Sequence, residues 1–292
     1  MFMYLTPLRA LMLVLAGVFV GILTSFMGAS GVMFVVPVLT MFFGLSIYSS
    51  IGTSLAVDVI SSLAVSISYY NHGKVDLKPS ILMALSAVAG AQLGGKVAHL
   101  TPELHLQWFF ALSMMVGGVF VLKGGYLAVL SKHRRLFDVI RRYVQKHKAV
   151  SVLVGLIIGV VCGLLGAGGG VMFLVVLLFL YGYPTHTAIG TSTFIMTMTA
   201  ASGAVSYLIH GSISAVSMAL LSVGAVAVGV LMPNVVTRLS ERTVNRIIGA
   251  LLILFGSMML LNGLLENLLT ALQFGAAAGI RTRDPWRGRP VS

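Results

Sequence analysis

Two glycine-rich stretches hold the residues best suited to chemistry. Gly28-Ala29-Ser30-Gly31-Val32-Met33-Phe34 returns as Gly166-Ala167-Gly168-Gly169-Gly170-Val171-Met172-Phe173. Gly52-Thr53-Ser54 returns as Gly190-Thr191-Ser192, and His72-Gly73 as His210-Gly211, each 138 positions later (190 − 52 and 210 − 72). These residue types offer hydrogen-bond donation: peptide N–H groups laid bare at a glycine turn, with neutral hydroxyls beside them. Asp58, four residues beyond Ser54, is a carboxylate deep in an apolar run. An acid in such a place is a functional candidate by default. It can carry a proton coupled to a solute, or cap a helix as a neutral donor. The second copy has Met196 at that place, so any coupling is one-sided.

The elements that position these residues follow from composition. Of 292 residues, 58% are hydrophobic and only 9% are charged, with a mean hydropathy of +1.02. The polar coat of a soluble protein is missing, and apolar runs recur at the roughly 20 residues of a helical crossing. Backbone in lipid must satisfy its own polar groups, so the expected fold is an all-α polytopic membrane protein. The runs are continuously apolar and do not alternate as outer-membrane strands do. Each half has five segments, near 10–27, 31–47, 50–70, 79–100 and 104–130, then 150–167, 170–182, 187–209, 212–233 and 245–265. The repeats therefore span 10–130 and 150–265. The second segment of each is short; Gly170 to Gly182 is 13 residues, about 20 Å of helix against a core of about 30 Å. Pro37 weakens its counterpart. Segments one and two of each half thus read as a hairpin or broken helix, with its glycine turn at membrane depth. Weakened helices at matched places in a repeat point to the solute site of a secondary transporter. Gly17 and Gly21 match Gly155 and Gly159, which makes the first segment part of the fold despite a signal-like Arg9. Gly90, Gly94, Gly95, Gly224 and Gly229 read as close-packing positions.

The net charge of +12 fits cytoplasmic loops rich in Lys and Arg, and nucleic acid is not an expected partner. The stretch 131–149 has seven Lys or Arg against Asp138, with Leu136, Phe137, Ile140, Tyr143 and Val144 on one face. It reads as a basic amphipathic linker on the cytoplasmic leaflet. With that linker inside, inverted repeats put Lys74, Lys78, Arg238, Arg242 and Arg246 inside as well, and leave the 100–103 and 210–212 loops, without Lys or Arg, outside. Parallel repeats misplace the three arginines, so inverted halves are the expectation. The tail 266–292 contains Gly, Arg and Pro and is expected to be disordered. The lone cysteine, Cys162, reads as a small packing residue. No spacing of His and Cys resembles a metal site, and no cofactor is expected.

The paired glycine turns, with Gly182-Tyr183-Pro184 leading to Ala188-Ile189-Gly190-Thr191-Ser192, resemble the sulfite exporter family named after TauE and SafE. The likeness runs from about Gly17 to Gly263. The first half departs from the pattern at Ser46 and Ser50, where the second has Pro184 and Ala188, and its turn has one glycine fewer. The resemblance implies a two-repeat carrier in the cytoplasmic membrane for sulfite or another small sulfur oxyanion such as a sulfonate. The partners are then a small anion and the lipid bilayer.

For such an anion the helix starts at Gly31–Met33 and Gly169–Val171 would face each other and supply N–H groups and partial positive charge. The expected binding set is Gly28, Ser30, Gly31, Thr53 and Ser54 with Gly166, Gly168, Gly169, Gly170, Thr191 and Ser192. Against it stand glycines used for packing alone and hydroxyls bonded back to their own helix. His72 and His210 end the third segment of each half, as interfacial residues or as a gate whose charge follows pH; His99 and His186 are left unassigned. An anion channel would use the same donors. A rhomboid-like serine protease built on Ser30 with His99 or His72 is a weaker alternative. The second copy keeps its glycines and loses the hydroxyl, which marks a backbone device.

Overall fold

The computed structural model describes residues 6–27, 30–76, 81–123, 148–166, 169–231, 246 and 249–265. Most of the expected linker, the tail 266–292, Gly28, Gly168, Lys78, Arg238 and Arg242 lie outside these residues. The chain is helical throughout the described regions. Helices α1 (Pro7–Met27), α2 (Val32–Pro37), α3 (Ile47–Asn71), α4 (Ile81–Leu100) and α5 (Glu103–Leu122) precede the linker. Helices α6 (Lys148–Leu165), α7 (Gly170–Val176), α8 (Thr185–Ile209) and α9 (Ala215–Leu231) follow it. A last helix, α10, covers Gly249–Leu265. Five of these are long and apolar enough to cross a membrane, α8 being the one beyond the linker.

Both expected breaks at the glycine turns are present. α1 gives way to α2 across the first turn, and α6 to α7 across the second. Each short helix then loosens into a π-helical turn, Val38–Phe42 after α2 and Leu177–Tyr181 after α7. Pro37 sits where the first of these begins. The second forms without any proline, so the missing donor at Pro37 is not what the widened turn requires. Gly44 and Gly182 end the two turns in left-handed conformation.

The long helices α3 and α8 stop in the same way. Gly73 and Gly211 take φ of +66° and +67°. The Lys74 amide then reaches back to the Tyr69 carbonyl, and the Ser212 amide to Tyr207, both at 2.9 Å. This is the glycine-terminated helix end that satisfies orphan carbonyls.

Packing exchanges helices between the halves. α1 lies along α9, and α4 along α6. Both pairs run parallel, Gly17 meeting Leu221 and Gly21 meeting Ala225, Gly155 meeting Met83 and Gly159 meeting Ala87. At each of these glycines an added methyl group would overlap a backbone carbonyl. The helices approach backbone to backbone, as small residues allow in a membrane. α3 and α8 pack on each other in the middle, antiparallel, since Gly52 near the start of α3 meets Tyr207 and Ser212 at the end of α8. α5 and α10 also run antiparallel, through Gly118 with Gly249 and Ala111 with Gly256. Leu8, Leu93, Leu112, Ile157, Leu208 and Leu261 are exposed, as befits side chains that face lipid tails.

Replacing Gly159 by Ala should destabilise the protein by about 1–3 kcal/mol, the usual cost of overpacking. Gly117→Ala, with open space around it, should leave the melting temperature unchanged. Thermal unfolding of the two detergent-solubilised variants checks this.

Candidate functional site

The middle of the bundle is polar on one line. On α3, Thr53, Ser54, Asp58, Ser61, Ser62 and Ser66 are buried, and on α8 Thr191, Ser192, Thr193, Thr199, Ser202 and Ser206 are buried. The two rows meet where Ser62 Oγ and Thr197 Oγ1 come within 2.8 Å. Ser54 donates to the Ile51 carbonyl at 2.8 Å and Ser192 to Ile189 at 2.9 Å. Both hydroxyls are satisfied by a carbonyl of their own helix.

Thr53 and Thr191 do something different. The Ser214 amide donates to Thr53 Oγ1 at 2.9 Å. The Asp76 amide donates to Thr191 Oγ1 at 3.0 Å. Ser214 and Asp76 lie in the loops that follow α8 and α3. Each long helix therefore fastens, near its start, the loop that leaves the other. Gly52 and Gly190 make room: a methyl group there would overlap the carbonyl of Ser212 or of Lys74. Because α3 and α8 are antiparallel, the two clasps sit at opposite ends of the pair.

The clasps differ in their surroundings. At one end Tyr183 donates to Asp76 Oδ2 at 3.1 Å. Burial, and next the Asp76 carboxylate beside it, pushes the Tyr183 phenol above its ordinary pKa, so it stays a neutral donor at physiological pH. At the other end the Ile47 amide donates to Glu103 Oε1 at 2.8 Å, and Tyr48 Oη to the Thr101 carbonyl at 2.6 Å. Tyr48, His99 and His210 stack there; the two histidine rings lie 3.9 Å apart at 18°. His210 Nδ1 is 2.7 Å from the Ser206 carbonyl, and His72 Nδ1 the same distance from Ser68.

The glycine turns border the polar line. Ser30 donates to Asp58 Oδ2 on α3, and Asp58 is fully buried. Gly31 abuts Val20 of α1, Gly166 abuts Ile51, and Gly169 abuts Cys162. The turn thus holds the short helix close against the long ones. The sequence of this architecture matches one family, described as "Sulfite exporter TauE/SafE", over residues 13–259. The chain belongs to the TauE/SafE family.

Its relatives are transporters by name. The probable membrane transporter protein YunE of Bacillus subtilis (strain 168) is 25% identical over 266 residues, 86% of this chain and 97% of the relative. YdhB of the same organism, also a probable membrane transporter protein, is 26% identical over 263 residues, 84% and 100% of the two chains. MJ0441 of Methanocaldococcus jannaschii (strain ATCC 43067 / DSM 2661 / JAL-1 / JCM 10045 / NBRC 100440) carries the same description and is 28% identical over 216 residues, 71% and 74%. No solved structure matches the chain. This TauE/SafE protein is a multi-pass membrane transporter, not an enzyme.

The expected site residues are held in different ways. Gly31 has φ −73°, so in the first turn it serves close approach and not a left-handed bend; Gly166 and Gly169, at +66° and +70°, are left-handed. Gly31 and Gly169 each contact the preceding helix of their own half. Gly170 is buried and opens α7. Cys162 is a buried packing residue, as expected. Ser30 donates to Asp58, whereas His72 lies on the Ser68 carbonyl and His99 stacks on His210, so neither histidine is the partner given to Ser30. The clasp partners Asp76, Tyr183 and Ser214 were missed. For two of them a signal was available: Asp76 and Ser214 are separated by the same 138 positions as Thr53 and Thr191 (214 − 76 and 191 − 53).

Thr53→Val and Thr191→Val each leave a loop amide without its acceptor. Each should lower stability by about 1–3 kcal/mol, and Tyr183→Phe by about 1 kcal/mol. The combination Thr191→Val with Tyr183→Phe should be less than additive, because both hold the same Asp76 loop. Melting of the three singles and the double tests this.

Proposed function

We propose that this TauE/SafE transporter is a secondary carrier for a small sulfur oxyanion, such as sulfite or a sulfonate, in the cytoplasmic membrane. The matched halves are two inverted repeats, and the substrate lies between their broken helices near mid-membrane. The observation that carries this reading is the pair of clasps. Like elements α3 and α8 run antiparallel, and each end of the pair is closed by the same threonine–amide bond. Alternating access needs two closures that are equivalent in kind and opposite in position. Opening one while the other holds gives access from one side at a time.

The glycine turns supply what a compact, strongly hydrated anion needs, which is peptide N–H donors at a close approach. Ser30 and Gly31 border the first turn, and Gly166, Gly169 and Gly170 the second. Thr53, Ser54, Thr191 and Ser192 line the way with neutral hydroxyls; opening a clasp frees Thr53 or Thr191. Neutral donors suit a carrier, because the solute must also leave. His210 and His72 cap the two loops that the clasps hold, which is where a gate would hinge. In this arrangement Lys74 and Arg246, both exposed, face the cytoplasm with the basic linker.

The test is a thermal-shift screen of purified protein against sulfite, sulfate, thiosulfate, sulfoacetate and short carboxylates. A sulfur oxyanion should raise the melting point; saturation at 100 times its Kd adds about 2.7 kcal/mol. In proteoliposomes its uptake should saturate and show counterflow. Flux that rises linearly without counterflow makes the protein a channel. No shift with any anion removes the oxyanion reading.

A further inference from the structure

Two histidines stand beside the Thr53–Ser214 clasp. His210 follows the last turn of α8 and opens the loop that the clasp holds. Its ring is exposed, within reach of protons from water. His99, near the end of α4, is half-buried. The two ring centroids lie 3.9 Å apart with 18° between their planes. A carbonyl only accepts, so the 2.7 Å contact with Ser206 puts the hydrogen of neutral His210 on Nδ1. Nε2 is therefore where His210 gains its second proton. His99 Nε2 is buried and has no hydrogen-bond partner. A charged imidazole carries hydrogen on both nitrogens, and here one of them would be a buried donor without an acceptor.

The surroundings suit one positive charge and not two. The Tyr48 ring stacks on His99 at 5.5 Å and the Tyr207 ring lies at 4.7 Å; aromatic faces favour a nearby cation. Both phenols are committed as donors, Tyr48 to the Thr101 carbonyl and Tyr207 to that of Gly163. Glu103 of α5 is exposed and accepts from the Ile47 amide. Lys96 of α4 and His105 of α5 are exposed, Cys162 of α6 is buried, and α9 has no ionisable side chain. Two imidazoliums in this stack would repel each other. The pair also belongs to one end only. His72 corresponds to His210, but the place 138 positions after His99 holds Thr237 (237 − 99). At the other clasp His72 and His186 are exposed, and Tyr183 bonds to Asp76.

We propose that His99 and His210 form a proton-operated latch on the Thr53–Ser214 clasp, which opens this end of the protein when both rings are charged. This rests on the reading of the clasps as the two gates of a carrier. With at most one ring charged, the stack holds His210 against α4 and the loop stays on Thr53. A second proton from water drives the rings apart. The loop moves with His210, and the Ser214 amide leaves Thr53. Once separated, the two histidines titrate near about pH 6.5. The open end thus binds more protons than the closed one, so falling pH favours opening. In the topology proposed above this end faces outward, and acid outside the cell opens the outer gate alone.

The experiment measures distances between spin labels on the full chain in lipid nanodiscs, with Cys162→Ala to remove the native thiol. Labels at Lys96→Cys and Ala215→Cys report the histidine end; labels at Asn71→Cys and Thr185→Cys report the other, all four sites being exposed. Between about pH 8 and about pH 5 the first pair should gain a second, longer distance. Its share relative to the first should rise by up to about tenfold per pH unit below about pH 6.5. The second pair should not change. His99→Gln and His210→Gln should each abolish the rise, and His105→Gln should leave it intact. No change with pH in protein that keeps both histidines overturns the inference, whether or not the variants fold. A rise that survives His99→Gln, or one of equal slope at both ends, overturns it too. If sulfite or methanesulfonate at a fixed pH lengthens the first distance while pH alone does not, the carrier reading stands and the latch fails. If neither end responds to pH, sulfite, sulfate or methanesulfonate, the clasps are not gates and the carrier reading fails with it.

Discussion

Helices in lipid gain nothing from hiding apolar side chains from water, because the tails around them are as apolar as leucine. What remains is contact. In this protein contact is made by removing side chains altogether where α1 meets α9 and α4 meets α6, so that glycines of one helix rest on the carbonyls of the next. Every other feature of the middle depends on those two seams. They fix the outer pairs rigidly enough that the inner pair, α3 and α8, can be lined with hydroxyls and still be held.

The inner pair faces a second constraint. Loops that turn back at the membrane surface carry amides that need acceptors, and water is not available to all of them. The glycine stops after His72 and His210 satisfy the carbonyls of the helix ends. The threonines near the opposite starts satisfy the amides of the loops. A helix start and a loop are thereby made into one local structure, although the two are more than a hundred residues apart in the chain. A hydrogen bond from an amide to a neutral hydroxyl is worth only about 1 kcal/mol net, so each join is specific without being strong.

Much of this was legible beforehand. Membrane class, the helical breaks at the glycine turns and the ends of α3 and α8 all follow from local residue types, and local types decide them. Asp58 announced itself as a lone acid in an apolar run. What could not be read is which atoms meet. Thr53 and Ser54 look alike in sequence, yet one bonds across to Ser214 and the other back to Ile51; only the register of α3 against α8 separates them. The same holds for Gly31, whose small size is needed for Val20 and not for a left-handed bend. The His99–His210 stack joins residues with nothing in common but the end of the molecule that the fold brings them to.

The exchange of helices has a consequence for biosynthesis. The seam of α1 closes on residues such as Gly229, 204 positions after Ser25. At about 5–20 residues per second, the ribosome needs roughly 10–40 s to deliver that partner. Through this interval the first helix stands in the bilayer with its glycine stripe uncovered, and neither half owns a complete interior. The seam is therefore finished only when the late helix has been made.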